Sequence, residues 1–188
     1  MNFFFYLRSF VADILYRPRG LARMGASCRV ALPRRIRGAA SIEFGTAVKV
    51  DAKSWFEAVQ SYHNQRFSPR IIVRDNVTIG RHATITAIGR IDIGEGCLFS
   101  EGVYISDHGH DVLTPGDTPL VERPLVHGGN VFIGAFCFLG FRACVLPGVV
   151  LGDHCVVGAH AVVTHSFPPG SVIAGCPAKL LRIIELPT

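Results

Sequence analysis

Between Val131 and Val163 an aliphatic residue recurs every six positions, at Ile133, Leu139, Val145, Leu151, Val157 and Val163. Glycine follows the anchor at Gly134, Gly140, Gly152 and Gly158, and a small or β-branched residue stands four positions after it at Cys137, Ala143, Val149, Cys155 and Ala161. A helix needs apolar spacing near 3.6 and a half-buried strand needs two, so a strict six fits neither as a single element. It fits short strands joined by tight corners. Three hexads then close one triangular coil, with the anchors of successive coils stacked inside and the small residue filling the narrow corner. Glycine is expected to supply backbone freedom at the bend. A repeat of this period marks a parallel β-helix, an all-β stack in which each coil buries its neighbour's face.

The same period extends upstream. It starts at Ile36 and Ile42, continues through Phe44, Val50 and Phe56, and breaks over residues 57–70, which are expected to form a loop. It resumes at Val73, Ile79, Ile85 and Ile91, slips by two to Ile93, and runs on through Phe99 and Ile105. One long polar interruption follows, SDHGHDVLTPGDTPLVERPLV over residues 106–126. A polar loop thrown out of a regular scaffold is where function concentrates. Ahead of the coils, Phe3, Phe4, Leu7, Phe10, Val11, Ile14 and Leu15 share one face of a short N-terminal helix, followed by a basic, irregular stretch. Past Val163, the run SFPPG turns the chain, and the terminal segment is expected to end as a short helix with Lys179 and Arg182 on one face. The predicted organisation is therefore residues 1–35, a coil domain over 36–165 with its excursion at about 106–126, and a tail over 166–188.

Composition narrows the picture. Hydrophobic residues make up 49% of the 188 and charged residues 18%, yet no apolar run approaches the roughly 20 residues of a membrane span. Arg8 and Asp13 interrupt the N-terminal apolar face and no small-residue cleavage site follows, so the helix reads as a docking element rather than a span or signal peptide. It would dock on its own domain, on a sister subunit, or at the inner face of a membrane. A net charge of +5 and a pI near 9.1 favour an anionic partner. With no aromatic-basic motif and no recognition-helix pattern, that partner is not nucleic acid. The six cysteines include no CxxC pair, and Cys97, Cys137 and Cys155 occupy the small inward position, where a thiol acts as an apolar filler. This argues against a disulfide framework and against a thiolate zinc site, and it suits a cytoplasmic protein.

The strongest chemical candidates are His108 and His110, in the segment ISDHGHD that opens the excursion. An imidazole takes a proton from a hydroxyl near neutral pH better than Ser or Asp can. Asp107, Asp111 or Glu122 could accept from the other ring nitrogen and fix the tautomer. A metal site of the γ-carbonic-anhydrase kind, with three His on a similar coil, is the competing chemistry. His108, His110 and His127 have spacing unlike a ligand set, so no metal is assigned.

Five segments together carry a resemblance: SYHNQRFSPRIIVRDNVTIGRHATITA, VYISDHGHD, RPLVHGGNVFIG, VLPGVVLGDHCVVGAHAVVT and PPGSVIAGCPAKLLR. From Ile36 onward the chain is similar to the hexapeptide-repeat acyltransferases, in particular polysaccharide and maltose O-acetyltransferases. The resemblance implies a left-handed β-helix, a homotrimer with sites between subunits, and acetyl-CoA as acyl donor to a sugar hydroxyl in bacterial surface-polysaccharide assembly. An amino sugar acylated on nitrogen is the alternative within the family. It implies a His general base beside the excursion; counting hexads from Ile93 points to His110, with His108 next. It implies that Ala159 and Thr164 line the pantetheine path and that Lys179 and Arg182 face the cofactor phosphates. Three departures stand out: His165 where Lys is common, Phe132 where Trp is common, and an additional hexad holding Phe141 and Arg142.

Overall fold

The computed structural model describes residues 18–186. The helix expected over residues 2–16 lies outside the described residues. The fold is all-β, with parallel sheets of six, eight and six strands wrapped as a three-sided coil. The hexad anchors form its interior. Phe44, Val73, Ile93, Ile133 and Leu151 stand in register along the first sheet. Val50, Ile79, Phe99, Leu139, Val157 and Ile173 do so along the second. Phe56, Ile85, Ile105, Val145 and Val163 do so along the third. Parallel pairing already includes Arg23–Met24 and Arg29–Val30, ahead of Ile36. Each coil adds a layer of about 4.8 Å, so burial accumulates by stacking.

The corners differ from expectation in one respect. The left-handed backbone falls three positions after the anchor, at Asn76, His82, Phe136, Arg142, His154 and His160, with φ between 54° and 59°. Glycine directly after the anchor serves a different purpose. A Cβ at Gly134 would stand 2.5 Å from the Asp153 backbone nitrogen, and one at Gly140 would stand 2.6 Å from that of Ala159. The next coil lies too close for any side chain there. The small inward positions are filled as expected, and Cys97, Cys137 and Cys155 are buried and free. Each thiol donates to a carbonyl of the following coil: Cys97 to Gly134 at 3.1 Å, Cys137 to Gly152 at 3.2 Å and Cys155 to Pro168 at 3.3 Å.

On the first sheet, Arg74 grips Asp92 through two hydrogen bonds of 3.0 Å, and Arg90 adds a third at 2.7 Å. Burial alone would raise the Asp92 pKa, but the bonds from Arg74 and Arg90 outweigh it and hold the carboxyl below its ordinary range.

The expected C-terminal helix is absent. Residues Lys179–Ile183 form a strand antiparallel to Ser171–Ala174, after a turn through Gly175 (φ 99°). The last coil would otherwise leave a row of unpaired backbone groups, and the returning strand satisfies that edge. Among the described residues there is no α-helix, only single 3₁₀ turns at Ala39–Ser41 and Leu120–Glu122.

Candidate active site

Every insertion leaves the prism at one corner, where the chain passes from the third sheet to the first. The anchor spacing there is six only between Val145 and Leu151. The break over 57–70 projects a hairpin of Ser61–Tyr62 and Gln65–Arg66. The two-residue slip before Ile93 widens the turn at Ile88 and Gly89. The long excursion opens and closes with an antiparallel pair, His108–His110 against Leu125–His127. Stacked coils bring these three insertions together although they are distant in sequence.

At their meeting point lies Asp107, fully buried. Its two carboxylate oxygens accept from the backbone N–H groups of Ile88 at 2.9 Å and Gly89 at 2.8 Å, which the widened turn aims inward. Nδ1 of His108 lies 2.8 Å from Asp107 Oδ1, and the His108 side chain is only 10% exposed. An ionised carboxylate is acceptor-only, so Nδ1 carries the proton and donates it to Asp107, while Nε2 keeps its lone pair. Ser106 Oγ donates to the His108 carbonyl at 2.8 Å and accepts from its N–H at 3.2 Å, fixing the strand start. On the opposite strand His127 pairs in register with His108, its Nε2 3.9 Å from Asp107 Oδ2. The absence of a side chain at Gly89 makes room for it, since a Cβ there would lie 2.4 Å from His127 Nε2.

The hairpin buttresses the excursion. The Gln65 side-chain amide donates to the Leu125 carbonyl at 3.0 Å and accepts from its N–H at 2.8 Å, in the manner of one more strand residue. Tyr62 donates its hydroxyl to the Val121 carbonyl, and His63 Nε2 bonds the same oxygen at 3.1 Å. Within the excursion, Arg123 donates to the carbonyls of Thr114, Thr118 and Gly116 and draws the loop into a compact knot.

Of the candidate orienting carboxylates, Asp107 is the one in contact with His108. Asp111 instead accepts from the Thr114 N–H at 3.1 Å, and bonding by Thr114 lowers its pKa. His110 is exposed, its ring set edgewise against Tyr62 with centroids 5.4 Å apart. Thr164 follows the Val162–Val163 strand, which is two strands beyond Tyr104–Ser106 in the third sheet, or about 10 Å further along the same corner. Ala159 stands elsewhere, at the corner between the second and third sheets, next to Gly158, on which a Cβ would lie 2.9 Å from that of Ala174. Lys179 and Arg182 pair with Ala174 and Val172 on the terminal strand. Lys179 and Arg182 thus lie together on the terminal strand, where the neighbouring Ala178 N–H donates to the Val162 carbonyl at 2.8 Å, and Thr164 groups with the histidine corner. Phe132 lies under the Arg90 guanidinium at 5.9 Å, and His165 packs against Phe167. No group of three or more His, Cys, Asp or Glu among the described residues is arranged to hold a metal ion.

Sequence reasoning missed Gln65 and Tyr62 and gave His127 no role in transfer. The available signal was the YHNQ run, in which His63 takes a left-handed turn (φ 47°) between two strand residues.

Residues 127–165 match the family described as bacterial transferase hexapeptide (six repeats). The chain is 36% identical over 118 residues to a putative lipopolysaccharide biosynthesis O-acetyl transferase, WbbJ, of Escherichia coli K12, across 60% of either chain. The chain thus spans about three fifths of that relative's length. It is 26% identical over 179 residues to the dTDP-4-amino-4,6-dideoxy-D-glucose acyltransferase of Escherichia coli, covering 91% of this chain and 86% of that one. In fold it is similar to a single-site mutant of AntD, an N-acyltransferase from Bacillus cereus solved with dTDP and coenzyme A, at a TM-score of 0.72 and 16% identity over 88% of this chain and 86% of that one.

Proposed function

We propose, for a chain that carries a hexapeptide-repeat transferase domain, that it transfers acetyl from acetyl-CoA to a sugar hydroxyl in the assembly of a bacterial surface polysaccharide. The observation that carries this reading is the Asp107–His108 pair at the inserted corner. His108 is assigned as the general base. Its Nε2 takes the proton of the acceptor hydroxyl as that oxygen bonds to the thioester carbon, giving a tetrahedral oxyanion. Collapse breaks the carbon–sulfur bond, and the departing coenzyme A sulfur takes the proton back from the imidazolium. Asp107 holds the tautomer and stabilises the transient cation, and is itself held in place by the two backbone N–H groups of Ile88 and Gly89. Acceptor and thioester held side by side remove the need for a covalent enzyme intermediate.

The acyl donor is assigned to Thr164, Ala159, Lys179 and Arg182. Thr164 continues the histidine corner, but Ala159 lies up to about 17 Å away across the third sheet, at some 3.3 Å per residue. That separation supports a homotrimer in which one chain offers its histidine corner and a neighbour its terminal strand. Reduced core thiols and an acetyl-CoA donor support a cytoplasmic location, with the apolar and basic N-terminal residues making peripheral contact with the inner membrane face. No helix among the described residues is long and apolar enough to cross a membrane.

Nitrogen acylation of an amino sugar is the second reading, favoured by the names of the aminosugar acyltransferase and of AntD. The two part on the product: an O-acetyl ester is cleaved by mild base, whereas an amide survives.

The deciding experiment compares His108→Ala with His110→Ala by coenzyme A release and by calorimetric titration with acetyl-CoA. His108→Ala is expected to lose 10²- to 10⁴-fold in turnover, roughly the worth of a general base, with acetyl-CoA affinity retained. Wild-type turnover in that variant would remove His108 from the mechanism.

A further inference from the structure

The rings of His63, Tyr62 and His110 form a contiguous wall beside the candidate base. Tyr62 sits edgewise to His63 at 4.3 Å and to His110 at 5.4 Å between centroids, and Tyr62 is half-buried. His110 is two residues beyond His108 on the same strand, so both side chains emerge on one face about 7 Å apart. That distance is the width of a six-membered sugar ring. Among the described residues the ring of His110 makes no hydrogen bond, so its nitrogens are available to a ligand. The wall is also held in place. Tyr62 and His63 both bond the Val121 carbonyl, and Gln65 clamps Leu125, the residue paired with His110. A rigid aromatic surface with one open polar edge, set one ring-width from a base, suits a ligand with an apolar face and a hydroxyl rim.

We infer that the 61–66 hairpin and His110 form the acceptor subsite, binding a pyranose ring whose C–H face lies on Tyr62 and whose rim hydroxyl bonds His110, so that a hydroxyl across the ring reaches His108. This rests on the transferase reading for its purpose, but not for its test. The subsite makes the hairpin the element that selects the acceptor. It also gives His110 a binding role, separate from proton transfer by His108.

The test is saturation-transfer NMR with a panel of p-nitrophenyl and methyl pyranosides, run on the full chain without acetyl-CoA. Wild type, Tyr62→Phe, Tyr62→Leu and His110→Ala are compared after circular dichroism confirms that each is folded. Tyr62→Phe keeps the ring and loses the bond to Val121, so it is expected to bind the retained pyranoside within about twofold of wild type. Tyr62→Leu loses both, and His110→Ala loses the polar edge; each is expected to weaken binding about fivefold or more. Equal loss in Tyr62→Phe and Tyr62→Leu would mean that the tyrosine only anchors the loop, and the subsite is then rejected. Pyranosides that bind no variant, or bind all four alike, reject it as well. Tyr62-dependent binding in a protein that releases no coenzyme A would keep the subsite and discard the transferase reading.

Discussion

Among the described residues Asp107 has no arginine or lysine against it; it is buried and dependent on two backbone N–H groups and His108. Asp107→Asn preserves shape but presents an amide where an acceptor is required, so it favours the wrong His108 tautomer. Its turnover is expected to fall at least 100-fold with acetyl-CoA affinity unchanged, checked by coenzyme A release and calorimetry. Asp92 is the contrasting case, a carboxylate whose bonds to Arg74 and Arg90 hold its pKa down against burial. A lowered pKa stabilises the fold above the ordinary carboxylate range and ceases to do so as pH falls through the folded value. Asp92→Asn is therefore expected to cost about 1–2 kcal/mol at pH 7, discounted because both arginines are half-exposed, and the gap to wild type should close below about pH 4 in urea titrations. The core thiols give a third expectation. The neighbouring Cys155 thiol lowers the Cys137 pKa, but the Cys97 thiol and burial outweigh it and push the group up to about 12. Iodoacetamide should label exposed Cys176 in the native protein and spare Cys137 and Cys155 until it unfolds, as read by peptide mass mapping.

At the scale of elements, the returning strand keeps Lys179 and Arg182 on one face although it is not a helix. Three residues apart, Lys179 and Arg182 would share a helix face, and in a regular strand they would point to opposite faces. A bulge opposite Val172 and Ile173 absorbs one residue, so that Lys179 pairs with Ala174 and Arg182 with Val172, two positions on one face. Replacing both by Ala is expected to weaken acetyl-CoA binding, with a deficit that grows as salt is lowered, since screening hides such contacts. An affinity that ignores both the substitution and the salt would take the phosphates off this strand. The glycine corner is equally constrained. Gly129 has φ 117°, and a Cβ on it would stand 2.8 Å from the Gly148 Cα. No alanine fits that backbone without displacing the coil that follows the excursion.

For the whole molecule, the separation of Ala159 from the histidine corner is the ground for proposing a site shared between chains. The excursion carries Leu113, 90% exposed, and Val112 and Val121 are exposed in the same loop, apolar surface of the kind that a neighbouring chain covers in an oligomer. Sedimentation velocity is expected to report three chains for wild type and smaller species for Leu113→Asp. A monomer with full activity would require that one chain reach both groups.

How much of this was legible in the sequence follows from the range of each interaction. The six-residue period is a local consequence of strand and corner geometry, so the coil, its inward columns and the cysteines as core filler could all be read from residue order. The excursion and its two histidines were visible as a break in that period. Glycine after the anchor was visible too, although its cause is the next coil's backbone rather than the bend. What residue order could not provide was contact across coils. Asp107 finds its two N–H donors on a turn eighteen and nineteen residues earlier, and Gln65 meets Leu125 sixty residues later, because stacking superimposes insertions from one corner. The terminal strand was likewise hidden, since its partner is an open sheet edge that exists only once the coils have stacked. The chain's own periodicity determined the scaffold. Only the tertiary structure decided which of two neighbouring histidines is oriented by a buried carboxylate, because that choice depends on where a separate coil directs its backbone.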